Sequence, residues 1–544
     1  MGSRKRTPST SFDWTISRQQ LSKLGPASSN GVPSSLFLAY KFPTQAPRVT
    51  PIRKRIHSNG SAETAWAALA HSAPAKEVML RTHGVVEIAA KLWIIQEDDE
   101  EDDEEREAKI FARIFLLKVL SSKKGDVGVA DRIATAGDVT TIAKTALDRL
   151  TNATKSPQFV TEWYYCIEIL IFIIRFCATP RPEILEAFLA EGAVAVFVKF
   201  LIRIASLANE HYPDHVDRAP NFKCLLLYPV MFLHECLEAT DGFKPIVQAL
   251  DAGLLTAFVE CSPLYAELED GEYAVISTII TKIIPKYLAY IVVLQKVETT
   301  LKGLERTERF CSLRRTRAWE DFKTFARLTG ERTLVMEFSR TKQKSSAICN
   351  NLQCTKRDVR NNFRKCAGCG NMLYCSKECQ ITHWKEAHKK SCASKVDKTL
   401  REEIPLLPPR DLHYMQTLNI RVAQKSLLEL KALAATEFPL TPLDDLMVFI
   451  DYSVVPPTFS LVVRSEWNKK APGVFSWPKN LFRPELEPET WTIITGVIAH
   501  GTGTKLAMGA VSGNLWSFPH PKTRDEKDRM DVEAEARMRE YCGL

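Results

Sequence analysis

Seven cysteines crowd into a short stretch of this chain and, with one of the two histidines there, fall into pairs. Cys349 and Cys354 are separated by four residues, Cys366 and Cys369 by two, Cys375 and Cys379 by three, and His388 and Cys392 by three. Thiolate and imidazole are the ligands that hold structural zinc in a tetrahedron, and eight of them complete two such sites with no position left for water. A closed shell is a structural device, since a catalytic zinc keeps one place open. Each pair has a mechanical reason. A tight turn through Gly368 lets Cys366 and Cys369 aim at one ion, and Gly370 suits strained backbone just beyond. Residues four apart, such as Cys375 and Cys379 or His388 and Cys392, share one face of a helix. His383, four residues after Cys379, is a competing imidazole; His388 is preferred because it pairs with Cys392.

The rest of the segment explains why metal is needed. Residues 349–392 carry few large apolar side chains, too few for a unit of this size to fold by burial alone. Structural zinc supplies an apparent free energy of about 10–16 kcal/mol per site, enough to close the gap.

The segment resembles the MYND-type zinc finger. The likeness rests on Cys366-Ala367-Gly368-Cys369, on Tyr374-Cys375-Ser376-Lys377-Glu378-Cys379-Gln380, on His383-Trp384, and on His388 with Cys392. It implies interleaved ligation: Cys349, Cys354, Cys375 and Cys379 on one Zn2+, and Cys366, Cys369, His388 and Cys392 on a second. It also implies a protein-interaction module. In members that take proline- and leucine-containing peptides, a Gln and a Trp beside the ligands form the contact surface, and Gln380 and Trp384 stand at those positions. A Trp face can pack on a proline ring while a Gln bonds peptide backbone. Two departures concern the loops. The first pair is wider than the family's usual Cys-x2-Cys, and three residues rather than two separate Trp384 from His388.

The chain contains two Pro-x-Leu-x-Pro segments of its own, Pro405-Leu406-Leu407-Pro408-Pro409 and Pro484-Glu485-Leu486-Glu487-Pro488. Average composition predicts about 0.15 matches by chance in this length. One of them, most easily the nearer, is therefore a candidate occupant of the finger.

The elements that must carry this finger are mostly helical. Residues 1–60 are basic and rich in Ser and Pro, and read as a disordered tail with basic clusters at 4–6 and 53–55. Residues 61–340 show apolar spacing of helical period, interrupted by nine consecutive carboxylates at 97–105 that cannot be buried and read as a solvated loop. Glycines recur between apolar runs at Gly84, Gly137, Gly192 and Gly253. Each can end one helix in the left-handed conformation before the next begins. The turns at 190–194 and 251–255 resemble those between armadillo helices. Residues 400–544 read as a small α+β domain: one amphipathic helix at 411–435, a hairpin around Val455-Pro456-Pro457, a second around 500–504, and a charged terminal helix at 524–541. The fold class expected is mainly α and multidomain: an armadillo-like helical region, a cross-braced two-zinc finger, and a small α+β domain. This order is similar to that of MYND-domain proteins of fungi.

Composition narrows the function. Basic residues number 73 against 65 acidic, a formal charge of +8, which is mild for 544 residues. No apolar leader opens the chain, and the most apolar run, 164–178, is too short to cross a bilayer, so a cytoplasmic or nuclear protein without a membrane partner is expected. The seven cysteines outside the finger read as reduced, small core residues. A non-enzymatic adaptor fits best. One alternative is a relative of SET-type protein methyltransferases, whose Asn-His-Ser-Cys-like motif is not found here. The other is a nucleic-acid-binding regulator using Lys356, Arg357, Arg360, Arg364, Lys365, Lys389 and Lys390. The ligand spacing is not that of a finger that places a reading helix in the major groove.

Overall fold

The structure, a computed structural model, describes residues 73–94, 116, 127–155, 159–179, 181–211, 221–240, 242–345, 347–351, 353–354, 356–368, 372–389, 392, 407, 409–466, 492–511, 515–518, 532 and 536. The expected tail at 1–60, the acidic run at 97–105 and Pro484–Pro488 lie outside these residues, and the charged stretch at 524–541 does so almost entirely.

Helical hairpins dominate, built around the recurrent glycines. Helices α1 (Ala73–Arg81) and α2 (Val85–Ile94) meet at Gly84, and α3 (Val127–Ala136) and α4 (Val139–Lys155) meet at Gly137. After α5 (Phe159–Cys177), α6 (Pro182–Ala190) and α7 (Ala193–His211) meet at Gly192. Past α8 (Asn221–Cys236), α9 (Lys244–Ala252) and α10 (Leu254–Glu260) meet at Gly253. Gly84, Gly192 and Gly253 have φ of 87°, 84° and 97°, the left-handed conformation expected of them. Gly137 is not left-handed. Its lack of a side chain makes room for Ile94, whose Cδ1 a Cβ there would overlap.

The apolar run at 164–178 lies within α5, where Leu170, Phe172, Ile173 and Phe176 are buried in the core. Among the described residues, no helix is long and apolar enough to cross a membrane. After a 3-10 helix at Ser262–Glu267 the chain continues as α11 (Asp270–Thr278), a π-helical turn at Ile279–Ile283, α12 (Ile284–Tyr287), α13 (Ile291–Leu304) and α14 (Glu308–Leu313). A long helix, α15 (Trp319–Ser345), then leads directly to the finger.

Beyond the finger the expected single helix at 411–435 is two: α17 (Pro409–Lys425) and α18 (Leu427–Glu437), divided at Ser426, with α16 being the finger's own helix (Lys377–His383). The finger holds strands β1 to β4, given below. A four-stranded sheet follows, with strands β5 (Leu446–Asp451), β6 (Thr458–Val463), β7 (Thr492–His500) and β8 (Gly503–Val511) in the order β6-β5-β7-β8. The two expected hairpins are the antiparallel pairs β5–β6 and β7–β8. They are joined by a parallel pairing of β5 with β7, registering Val448 with Ile494 and Ile450 with Gly496.

One apolar core runs from α2 to Trp516 and takes in both the helical body and the sheet. Polar contacts bind the two along the seam. The Tyr290 hydroxyl donates to Ala499 O at 2.9 Å, the Tyr414 hydroxyl donates to Leu288 O at 3.0 Å, and the Ile291 N–H donates to Asp411 Oδ1 at 2.9 Å. The finger has a small core of its own, made of Cys349, Phe363, Cys366, Leu373, Tyr374 and Cys392.

Candidate metal centre

Two short hairpins and one helix present the thiols. Strands β1 (Ala347–Ile348) and β2 (Arg357–Asp358) pair antiparallel and frame Cys349 and Cys354. The wide loop between these cysteines closes by its asparagines. The Cys354 N–H donates to Asn351 O at 2.9 Å, and the Gln353 N–H donates to Asn351 Oδ1 at 3.3 Å, an Asx turn. Asn350 Oδ1 accepts the Leu373 N–H at 2.6 Å, tying this loop to the next hairpin. That hairpin, β3 (Arg364–Lys365) with β4 (Leu373–Tyr374), places Cys366, whose N–H donates to Met372 O at 2.8 Å. Ser376 caps α16 by accepting the Cys379 N–H at 3.2 Å, which sets Cys375 and Cys379 on either side of the cap. A π-helical turn, Trp384–His388, continues α16 and turns His388 inward.

The result is two clusters. Cys349, Cys354, Cys375 and Cys379 have their sulfurs within 4.8 Å of one another, and so do the ligand atoms of Cys366, His388 and Cys392. Cys354 Sγ and Cys375 Sγ are 3.6 Å apart, as are Cys375 Sγ and Cys379 Sγ. In the second cluster Cys366 Sγ lies 4.0 Å from Cys392 Sγ and 3.3 Å from His388 Nε2. An ion with tetrahedral bonds of about 2.3 Å to sulfur sets its sulfurs about 3.8 Å apart, and a nitrogen at about 2.0 Å lies about 3.5 Å from each sulfur. The donor atoms therefore sit at corners of metal-sized tetrahedra. Cys369, the remaining candidate, lies outside the described residues.

Charge tells the same story. Burial pushes the Cys375 thiol up to about 12, while its bond with the Asn351 side chain holds Cys379 down at about 7. Burial also raises Cys349 and lowers His388, favouring the neutral imidazole that can ligate. Thiolates crowded this closely repel one another, and a dication between them makes their joint ionisation favourable.

His383 is not in either cluster. It is buried at 1% exposure, and its Nδ1 lies 2.9 Å from the Tyr374 hydroxyl. Its ring stacks on His388 at 5.5 Å between centroids. Of the candidate peptide contacts, Trp384 packs partly buried against the finger core, edge-on to His388 at 5.6 Å, and Gln380 is half-buried one helical turn before it. Asn351 and Tyr374 support the ligands in ways that spacing did not reveal.

The family model of the MYND finger matches residues 349–392. This segment is a MYND-type zinc finger. The MYND finger is a non-catalytic interaction domain that binds zinc through such Cys/His clusters. Among curated proteins, an F-box protein of Arabidopsis thaliana is 40% identical over 56 residues, which cover 10% of this chain and 14% of the relative. The match thus spans about a seventh of that relative's length. No solved structure matches the chain.

Proposed function

We propose that this protein is an adaptor whose MYND finger, closed by two zinc ions, captures a partner through a proline- and leucine-containing peptide. Cys349, Cys354, Cys375 and Cys379 would hold one ion; Cys366, Cys369, His388 and Cys392 would hold the other. Zinc supplies the folding free energy of the finger, and its own residues supply the contact. The observation that carries this reading is the position of Trp384, partly buried at the edge of the finger core with Gln380 a turn away on the same side of α16. A partly buried Trp at the surface offers a flat apolar face, and the Gln amide can pair with peptide backbone.

The peptide comes from elsewhere than the nearer internal segment. Leu407, the central leucine of Pro405–Pro409, is 7% exposed and belongs to the large core of the body. Extracting it to fill the finger would cost about 2 kcal/mol or more of burial. The test is a titration of a Pro-x-Leu-x-Pro peptide into the full chain and into a Cys366→Ala/Cys369→Ala variant. Binding to the first and loss in the second supports the reading; equal binding refutes it.

A further inference from the structure

The finger carries a stripe of one chemistry on its outer side. Lys377, Ile381, Lys385 and Lys389 follow at intervals of four along α16 and the turn that extends it, and all four are exposed. Ile381 is 45% exposed, an apolar side chain set between two cations. None of the three lysines makes an ion pair among the described residues. The acids of the same stretch are engaged mainly by other partners. Glu386 accepts Gln353 Nε2 at 2.9 Å, and Glu378 bonds the Ser376 side chain and feels the charge of Arg364 more than that of Lys377. The stripe runs beside Gln380 and Trp384, the contact residues of the proposed peptide site.

We infer that this stripe selects, for the finger, a partner peptide whose leucine is flanked on both sides by acidic residues. The inference rests on the peptide-binding reading above and adds to it the charge of the ligand. Distance supports it. Four helical residues advance about 6 Å, the length of two residues of an extended peptide. A leucine over Ile381 therefore brings carboxylates one or two residues away within reach of the flexible stems of Lys377 and Lys385. Exposed pairs of this kind add little affinity each, but they discriminate strongly between opposite charges and speed encounter. A sequence of this class is Pro-Glu-Leu-Glu-Pro, which this chain itself contains at 484–488.

The experiment uses the zinc-loaded full chain and three labelled peptides that differ only at two positions: Pro-Glu-Leu-Glu-Pro, Pro-Ala-Leu-Ala-Pro and Pro-Lys-Leu-Lys-Pro, each with identical neutral flanks. Fluorescence anisotropy should give the tightest binding for the acidic peptide, at least about tenfold over the basic one, with the gap closing as salt rises. The Lys377→Glu/Lys385→Glu variant, with its zinc content checked, should reverse the order. Equal affinities for all three peptides, or an order unmoved by the charge reversal, overturn the charge selection while leaving the peptide site intact. No binding of any peptide to zinc-replete protein overturns the peptide site itself. A tenfold gain in affinity on Leu486→Ala would make the chain's own segment the occupant and overturn the assignment to a partner.

Discussion

The Tyr374 hydroxyl and His383 Nδ1 lie 2.9 Å apart inside the finger, and this pairing separates a structural histidine from a ligating one. The spacing from Cys379 made His383 a rival to His388 for the metal. The fold turns His383 toward Tyr374, on the strand that leads into Cys375, and stacks it against His388. Burial, with the neighbouring His388, lowers its pKa, so it is held as a neutral hydrogen-bonding ring. His388→Ala should therefore lower the zinc bound per chain, whereas His383→Ala should leave it unchanged and only weaken the finger. Tyr374→Phe should cost about 1–2 kcal/mol, the effect of leaving a buried polar atom without its partner. Metal analysis and denaturant titration of the three variants distinguish these outcomes.

Metal removal should act on one part of the molecule. The finger core is separate from the large core and consists half of cysteines. With about 10–16 kcal/mol per structural ion at stake, a strong chelator should unfold 349–392. The body has its own continuous apolar core and should stay folded. Hydrogen exchange should then show protection lost across the finger and kept in α7, α10 and α13.

The N-terminal hairpin should loosen in acid. Arg132 on α3 grips Glu87 on α2 with two bonds, Nε to Oε1 at 2.7 Å and Nη2 to Oε2 at 2.9 Å, and also donates to Leu80 O at 2.8 Å. That grip holds the Glu87 carboxyl down at about 2, below its ordinary 4.5. A carboxyl with a depressed folded value adds stability above its unfolded value and loses it as pH falls toward the folded one. The contribution should be complete above about pH 5 and fade between 4.5 and 2. Both side chains are about a quarter exposed, so solvent screens the pair and the amount is about 1 kcal/mol. Glu87→Gln should flatten this part of the pH–stability curve.

What could be read from sequence was local. Ligand pairs, helix-ending glycines and two hairpins each depend on residues a few positions apart, and the chain places them as spacing dictates. Gly137 departs because its role is tertiary: it makes way for Ile94, a residue from the preceding hairpin. The parallel pairing of β5 with β7 joins segments some forty residues apart, and no local period encodes such a partnership. Leu407 reads equally well as a peptide motif or as a core residue, and only packing decides. Asn351 looks like an ordinary loop residue until the fold brings Cys379 to its amide.

The seam between body and sheet offers a last measurement, in a glycine with no metal nearby. Gly501, at the tip of the β7–β8 hairpin, has φ of 61°. Its N–H donates to the Tyr287 hydroxyl at 3.0 Å, and the next N–H, of Thr502, donates to Thr240 O at 3.1 Å. A Cβ on Gly501 would run into that same Thr240 carbonyl oxygen, which is backbone and cannot swing away. Gly192 has the same hand, with φ of 84°, but a Cβ there would meet nothing within 4 Å. The two substitutions therefore separate backbone strain from collision. Gly192→Ala should cost only the left-handed term, about 1–2 kcal/mol. Gly501→Ala should cost that plus displacement of the hairpin tip, a total of about 3 kcal/mol or more. Denaturant midpoints give the comparison. Zinc content should be normal in both variants, because the finger's core is independent of this seam; equal midpoints would mean that the hairpin tip does not bind the sheet to the body.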